Sequence, residues 1–512
     1  MASLARNTLF LTVAKTFSVG IYAALGFLLP VFVRVEENGL YGYLMSLMFF
    51  GGMLASFGVP LVLTREVARH PDRAAAVHAA GRSAVFLGVG LSVLVLGAWL
   101  VGEGLYTDDL TPRLLVLFAI GMAIVLAEGL GSVADAVFQG FERMALPALI
   151  EIQTGAFRAG GAMLALVVLP ERWRLEGIFV CFLIGSTLRA WLLPRLLRRR
   201  LLLGALPPRS HLSARLAQGL AMIRQSGAIA VFRVLRMLRN RLDVVILGVL
   251  VLAYAPAADP NQARGLYVQA VRVALLFHTM TMAFNTAVFP RFARLTQGAE
   301  QGGDLGGARI QYERAVRWQA WWALPLAVAL WAWAAPVAGW FGPAYRFGIP
   351  EAGLTHGTAD VLRVLLPAVA LDAVGGPVGM LMLGVRDLER RIPWIGAALL
   401  TTSLVLNLVL VPRFGLLGAA WAALGASSVE FLLKVGIVAR LLGNPLPIFL
   451  RTLPHLGLAA AAVAAAFALG LAERPILGLP LAASLYVAAT LLLGLADPAL
   501  LERLPGRRRG SS

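Results

Sequence analysis

Arg233, Arg236, Asn240 and Asp243 recur at i, i+3, i+7 and i+10 within one apolar stretch, the spacing of a single helix face. Two guanidiniums and an amide on one face can hold an anion such as a phosphate through charge-assisted hydrogen bonds. The plainer alternative is that these arginines reach along the helix to the cytoplasmic interface, with Asp243 as a structural partner. Arg272 lies in the next apolar stretch, on a different face from His278, and is a further candidate for the same cavity. Among 45 Lys and Arg residues only Lys15 and Lys434 are lysines, and both fall inside apolar stretches. A chain that otherwise uses arginine thus keeps a compact, deprotonatable ammonium at two places. Lys434 has Glu430 one turn away as a simple partner. Lys15 has no acid near it in sequence, so it is the better candidate for contact with substrate.

Acidic groups form a second set. Two apolar stretches turn back near Arg143, and folding them antiparallel brings Glu128 to the depth of Arg158 and Asp135 to that of Glu151. The plain expectation is a Glu128–Arg158 salt bridge. The sharper one is an Asp135/Glu151 pair that responds to protons or cations, since two facing carboxylates resist ionising together. Asp372 precedes Gly375-Gly376-Pro377, a triplet that should kink or interrupt a helix, which membrane proteins tolerate at cavities and hinges. The candidate coupling or gating residues are therefore Glu128, Asp135, Glu151, Arg158, Asp372, Glu430 and Lys434. No catalytic residue, metal site or cofactor is expected. The single cysteine, Cys181, and six scattered histidines offer neither a disulfide nor a metal cluster.

These groups attract attention because of what surrounds them. The chain is 59% hydrophobic and 14% charged, with a mean hydropathy of +0.78. Soluble proteins carry about a quarter charged residues. The apolar residues come in blocks of roughly 20 or more, the length that crosses ~30 Å of hydrocarbon as a helix. Ionisable groups at that depth are costly, so each is a functional candidate by default. The blocks predict an all-α polytopic membrane protein with about fourteen spans. They lie near 9–33, 40–63, 82–101, 114–138, 146–169, 175–197, 228–252, 266–290, 317–341, 360–384, 393–412, 415–441, 452–472 and 475–496.

Loop charges orient the spans. With both termini cytoplasmic, about 27 basic residues fall inside and about 8 outside, as the positive-inside rule expects. The net charge of +18 is therefore read as topology, and nucleic-acid binding is set aside. Every outside loop is short, so a sizeable extramembrane catalytic domain is not expected. This argues against a membrane glycosyltransferase or polymer ligase.

Gly39-Leu40-Tyr41 and Gly265-Leu266-Tyr267 open the second and eighth spans, each followed at the same spacing by an arginine, Arg65 or Arg291. Internal repeats of this kind are common in secondary transporters. The expected organisation is an N-lobe of six spans over 1–206, a cytoplasmic amphipathic linker over 207–226 and a C-lobe of six spans over 227–447. Two further Ala/Leu/Gly-rich spans with almost no polar groups, followed by a basic tail, fill 448–512. Leu212, Leu216, Leu220 and Ile223 share one face of the linker helix.

Asn240-Arg241-Leu242-Asp243, Gly265-Leu266-Tyr267, Phe289-Pro290, and Asn407 through Pro412 to Gly415, Gly418, Ala419 and Ala420 occur in an order that resembles a known family. It is the polysaccharide-exporter branch of the multidrug/oligosaccharidyl-lipid/polysaccharide (MOP) flippase superfamily. The resemblance implies an inner-membrane flippase of a prokaryote that moves undecaprenyl-diphosphate-linked oligosaccharide outward by alternating access, with two lobes rocking about a central cavity. It implies as partners the lipid-linked glycan and membrane lipids, a proton or sodium ion for coupling, and a monomer that works alone or with a polymerase or glycosyltransferases. Lys15, Arg233, Arg236, Asn240 and Arg272 would then bind the diphosphate and acidic sugars. Lipid II flippases share the architecture, but their Arg-Asp pair in the first span is absent here. Drug or cation antiporters of the superfamily are the other alternative, and they lack the last two spans.

Overall fold

The computed structural model describes residues 20–107, 110–201, 213–214, 216–226, 241–300, 306–384 and 392–495. Helices account for nearly all of them. The extended pairing is one bridge between Ile349 and Leu354. Among the described residues eight helices are long and apolar enough to cross a bilayer, and Gly20–Phe32 and Leu242–Tyr254 are shorter apolar helices. The expected count of fourteen is not tested in full, because parts of the first and seventh expected spans lie outside the described residues. Ala145–Val168 is long enough, but Glu151 and Arg158 lower its hydropathy. The eleventh and twelfth spans run together as Ile392–Leu442, bent at Gly415 (φ 59°).

Two compact units divide the chain: Met1–Leu252 with Ala258–Gly265, and Ala253–Ala257 with Leu266–Ser512. The first contains α1 (Gly20–Phe32), α2 (Val35–Ser56), α3 (Val59–Arg69), α4 (Ala74–Thr107), α5 (Pro112–Gly140), α6 (Ala145–Val168) and α7 (Arg174–Arg200). Leu25, Leu29, Leu44, Leu47, Leu117 and Phe179 form its central apolar cluster. Lipid tails are as apolar as leucine, so helices in a bilayer are held by close packing and polar contacts rather than by exclusion of water. Ser92 on α4 illustrates this, donating to the Gly51 carbonyl of α2 at 3.0 Å. Just beyond that contact the second expected span is broken. Phe57 adopts φ 41° and ends α2, and α3 restarts with Pro60 in its first turn. A left-handed residue other than glycine costs about 1–2 kcal/mol, so the break is imposed by the packing around it.

Thr111 caps α5, its hydroxyl accepting from the Leu114 amide at 3.2 Å with Pro112 at the first helical position. The helix over 216–226 packs onto the first unit through Met222, buried among Val59, Leu63, Ala84 and Val85. Leu216 and Leu220 on it are exposed.

α8 (Leu242–Tyr254) and α9 (Pro260–Glu300) lead into the second unit, which holds α10 (Gly306–Ala332), α11 (Ala334–Gly339), α12 (Pro343–Phe347), α13 (Thr358–Gly384), α14 (Ile392–Leu442), α15 (Leu446–Leu450), α16 (Leu453–Ala468) and α17 (Pro475–Leu492). The last two helices are Ala/Leu/Gly-rich, and their few polar groups make defined contacts. Tyr486 Oη donates to the Trp321 carbonyl at 2.8 Å and lies 2.8 Å from His455 Nδ1. Trp321 Nε1 donates to Thr490 Oγ1 at 3.3 Å, and Trp333 Nε1 to the Leu471 carbonyl at 3.0 Å. A few hydrogen bonds thus fasten α16 and α17 to α10 and its end. Composition understated them because each donor faces a partner far away in sequence.

Candidate functional site

α5, α6 and α7 each present polar groups one or two turns apart: Glu128 and Asp135, Glu151 and Arg158, Ser186 and Arg189. Each set lies on one helix face, and the three faces meet inside the first unit. Arg158 Nη1 bonds Glu128 Oε1, and its Nη2 reaches Glu151 Oε1 at 3.2 Å. Arg189 Nη1 bonds Glu128 Oε2 at 2.5 Å, its Nη2 bonds Asp135 Oδ2, and its Nε lies 3.2 Å from Glu151 Oε2. Ser186 Oγ donates to Glu128 Oε1 at 2.6 Å. The Tyr22 ring of α1 lies beneath Arg158, 5.9 Å from its guanidinium carbon.

Three carboxylates therefore share two guanidiniums. The Arg158, Arg189 and Asp135 side chains are 8%, 14% and 14% exposed, whereas Glu128 and Glu151 are 30% and 25% exposed. A buried charge without a counter-charge is strongly unfavourable, whereas a fully paired network is tolerated. With all five groups ionised, the cluster carries one negative charge in excess. Arg158 Nε and Asp135 Oδ1 are buried without a hydrogen-bond partner, which leaves capacity for rearrangement.

The structure brings Glu128, Asp135, Glu151 and Arg158 together. The Glu128–Arg158 bridge expected from the sequence is present. Asp135 and Glu151 do not face each other as a bare acidic pair, because Arg189 pairs with both. Sequence reasoning passed over Arg189. Its signal was an arginine well inside the sixth apolar span, one turn after Ser186.

The remaining candidates lie elsewhere. Lys434 and Glu430 of α14 form an ion pair at 2.7 Å, with side chains 14% and 15% exposed, and Lys434 packs beside Gly375 of α13. Asp372 is half-buried on α13. Arg272 Nη1 donates to Gln269 Oε1 at 3.0 Å, one turn back on α9. Lys15, Arg233, Arg236 and Asn240 lie outside the described residues. Buried amides missed from the sequence also occupy the second unit, where Gln319 Nε2 of α10 donates to Asn285 Oδ1 of α9 at 2.9 Å. Among the described residues no cluster of three or more His, Cys, Asp or Glu could hold a metal ion.

Residues 4–296 match the family described as "Polysaccharide biosynthesis protein". A curated relative, "Probable flippase AglR" of Haloferax volcanii, is 28% identical over 260 residues, 50% of this chain and 48% of that protein, so the match spans about half the length of the relative. Among solved structures, "Lipid II flippase MurJ, inward closed conformation" superposes with a TM-score of 0.68 at 13% identity, covering 95% of this chain and 99% of that one. An inward-facing multidrug resistance MATE family transporter of the MOP superfamily gives 0.62 at 14% identity, covering 83% and 95%. These likenesses show the fold, which this chain shares with both of those structures.

Proposed function

We propose that this chain, which belongs to the polysaccharide biosynthesis protein family, is a flippase that moves a lipid-linked oligosaccharide precursor across a membrane. The observation that carries the reading is the family match through residue 296 on a chain whose multi-pass fold is that of transporters along nearly its whole length. The proposed cargo is a glycan on a polyprenyl diphosphate. Its phosphates would be held by Lys15, Arg233, Arg236, Asn240 and Arg272, because guanidinium and ammonium groups at membrane depth are the chemistry that draws a diphosphate out of the headgroup layer. The protein is placed in the cytoplasmic membrane with both termini inside, on the loop-charge asymmetry of the sequence. It exposes its site to the two sides in turn and needs no bond-making chemistry.

The five-charge cluster is the proposed coupling device. Its odd carboxylate takes up a proton or sodium ion on one side of the cycle and releases it on the other, so that transport draws on an ion gradient. The Glu430–Lys434 pair and Asp372 are the corresponding candidates of the second unit.

Purified protein in sealed vesicles tests the function directly. The expected result is protein-dependent movement of a fluorescent or radiolabelled lipid-linked oligosaccharide between leaflets with no change in its mass. A changed mass would point to an enzyme, and competition by organic cations would point to a drug antiporter. Reversing Arg233 and Arg236 to Glu should abolish movement with the protein still present in the membrane, and normal movement by that variant removes both residues from the site.

A further inference from the structure

At one end of the first unit, two copies of the same tripeptide lean on each other. A methyl group on Gly39 of α2 would strike the Asn261 carbonyl of α9, and one on Gly265 of α9 would strike the Val35 carbonyl of α2. Each glycine thus rests on the residue four positions before the other glycine, a two-fold-related crossing made almost wholly of backbone. Asn38 Nδ2 donates to the Gly265 carbonyl at 3.3 Å and continues it. The repeat breaks at the residue before each glycine, which is Asn38 in the first copy and Arg264 in the second.

Arg264 is enclosed by four elements. Its Nη2 bonds Glu103 Oε1 of α4, its Nη1 donates to Asn261 Oδ1 at 3.1 Å, and its guanidinium lies over the Tyr43 ring of α2, 3.9 Å from the centroid. Tyr43 Oη donates to Glu103 Oε2 at 2.5 Å, and Trp99 Nε1 to the same oxygen at 2.8 Å. Gly248 of α8 leaves the room the guanidinium occupies. The ion pair is 3% and 6% exposed. A cleft bordered by Leu40, Thr107 and Leu114 leads to it.

We infer that the Glu103–Arg264 pair is a releasable latch, closing the start of α9 onto α2 and α4 in one state of the cycle and parting from it in the other. The inference rests on the flippase reading. A permanent strut needs no charge, because buried ion pairs are often no more stabilising than apolar groups of the same size. Charge differs from apolar packing in the open state. Parted in water, Glu103 and Arg264 are each well solvated, whereas parted apolar surfaces are not. An ion pair therefore keeps the closed and open states close in free energy. The glycine crossing beside it fits the same role, since no side chains interlock there to resist separation. Glu36 and Gln262, hydrogen-bonded at 2.7 Å, mark the rim of the same contact.

Two measurements in a Cys181→Ala background test the latch. In the first, Leu40→Cys reports opening through its rate of reaction with a membrane-impermeant maleimide. Adding Glu103→Gln should raise that rate several-fold, and an unchanged rate overturns the latch whether or not the protein flips lipid. In the second, Glu36→Cys with Gln262→Cys is joined by a short bis-methanethiosulfonate, which forms a disulfide with each thiol and releases methanesulfinate. Flipping should fall at least tenfold and return when the disulfides are reduced, while flipping at the uncross-linked rate would make the contact a fixed strut. A parent protein that flips nothing counts against the flippase reading, and the maleimide rates then still decide the latch.

Discussion

In the first unit, the polar groups buried between α5, α6 and α7 are charges, three carboxylates around two guanidiniums. In the second, α9 and α10 share an amide pair, Asn285 and Gln319, and α14 holds one acid and one base a turn apart, Glu430 and Lys434. Both arrangements pair most of their polar atoms, each leaving some buried without a hydrogen-bond partner, but they differ in charge. The Glu430–Lys434 pair is neutral as it stands, and an amide pair has no charge to change. The five-charge cluster, with every group ionised, carries one negative charge in excess. A helix bundle can therefore carry similar polarity in its two units and still concentrate its excess charge in one of them.

The strongest way to break this comparison is Arg189→Met. It leaves three carboxylates against one guanidinium and should destabilise the protein by about 3–5 kcal/mol, the usual cost of removing one partner from a buried ionic network. A large fall in unfolding temperature in detergent is the expected reading, and a small one would mean that solvent reaches the cluster. Lys434→Met removes one partner of a single ion pair rather than of a network, so the expected loss is smaller, about 1–3 kcal/mol on the same assay. Gln319→Leu removes one neutral hydrogen bond at a fully buried position and should cost about 1–2 kcal/mol with little change in ion dependence. Glu151→Gln sharpens the contrast with the least effect on stability. It leaves two carboxylates for two guanidiniums, so the unfolding temperature should hardly move while flipping in vesicles loses its response to a proton or sodium gradient. A retained gradient response would place coupling elsewhere.

Much of this was legible in the residues. The Glu128–Arg158 bridge followed from folding a hairpin at Arg143, because antiparallel neighbours fix depth from sequence distance alone. The Glu430–Lys434 pair followed from helical spacing. Arg189 was not legible as the third member, since it reaches the cluster from a helix beyond the hairpin and nothing in its neighbourhood signals partners on α5. Glu103 and Arg264 were harder still. Glu103 reads as an ordinary loop-proximal acid and Arg264 as one of the few basic residues beyond the cytoplasmic loops, and only the approach of α9 to α4 makes them a pair.

By itself the sequence determined that the chain is helical and membrane-spanning, that its two halves echo each other, and which ionisable groups are buried in apolar stretches. Hydropathy and helical periodicity are local properties, readable within about 20 residues of any position. The tertiary structure decided which charges meet, that the second span breaks at Phe57, and that two glycines from distant repeats touch through their backbones. Each of these depends on helices packing side by side over long stretches of chain, where small residues set how closely two backbones approach and distant side chains settle how each buried charge is paired.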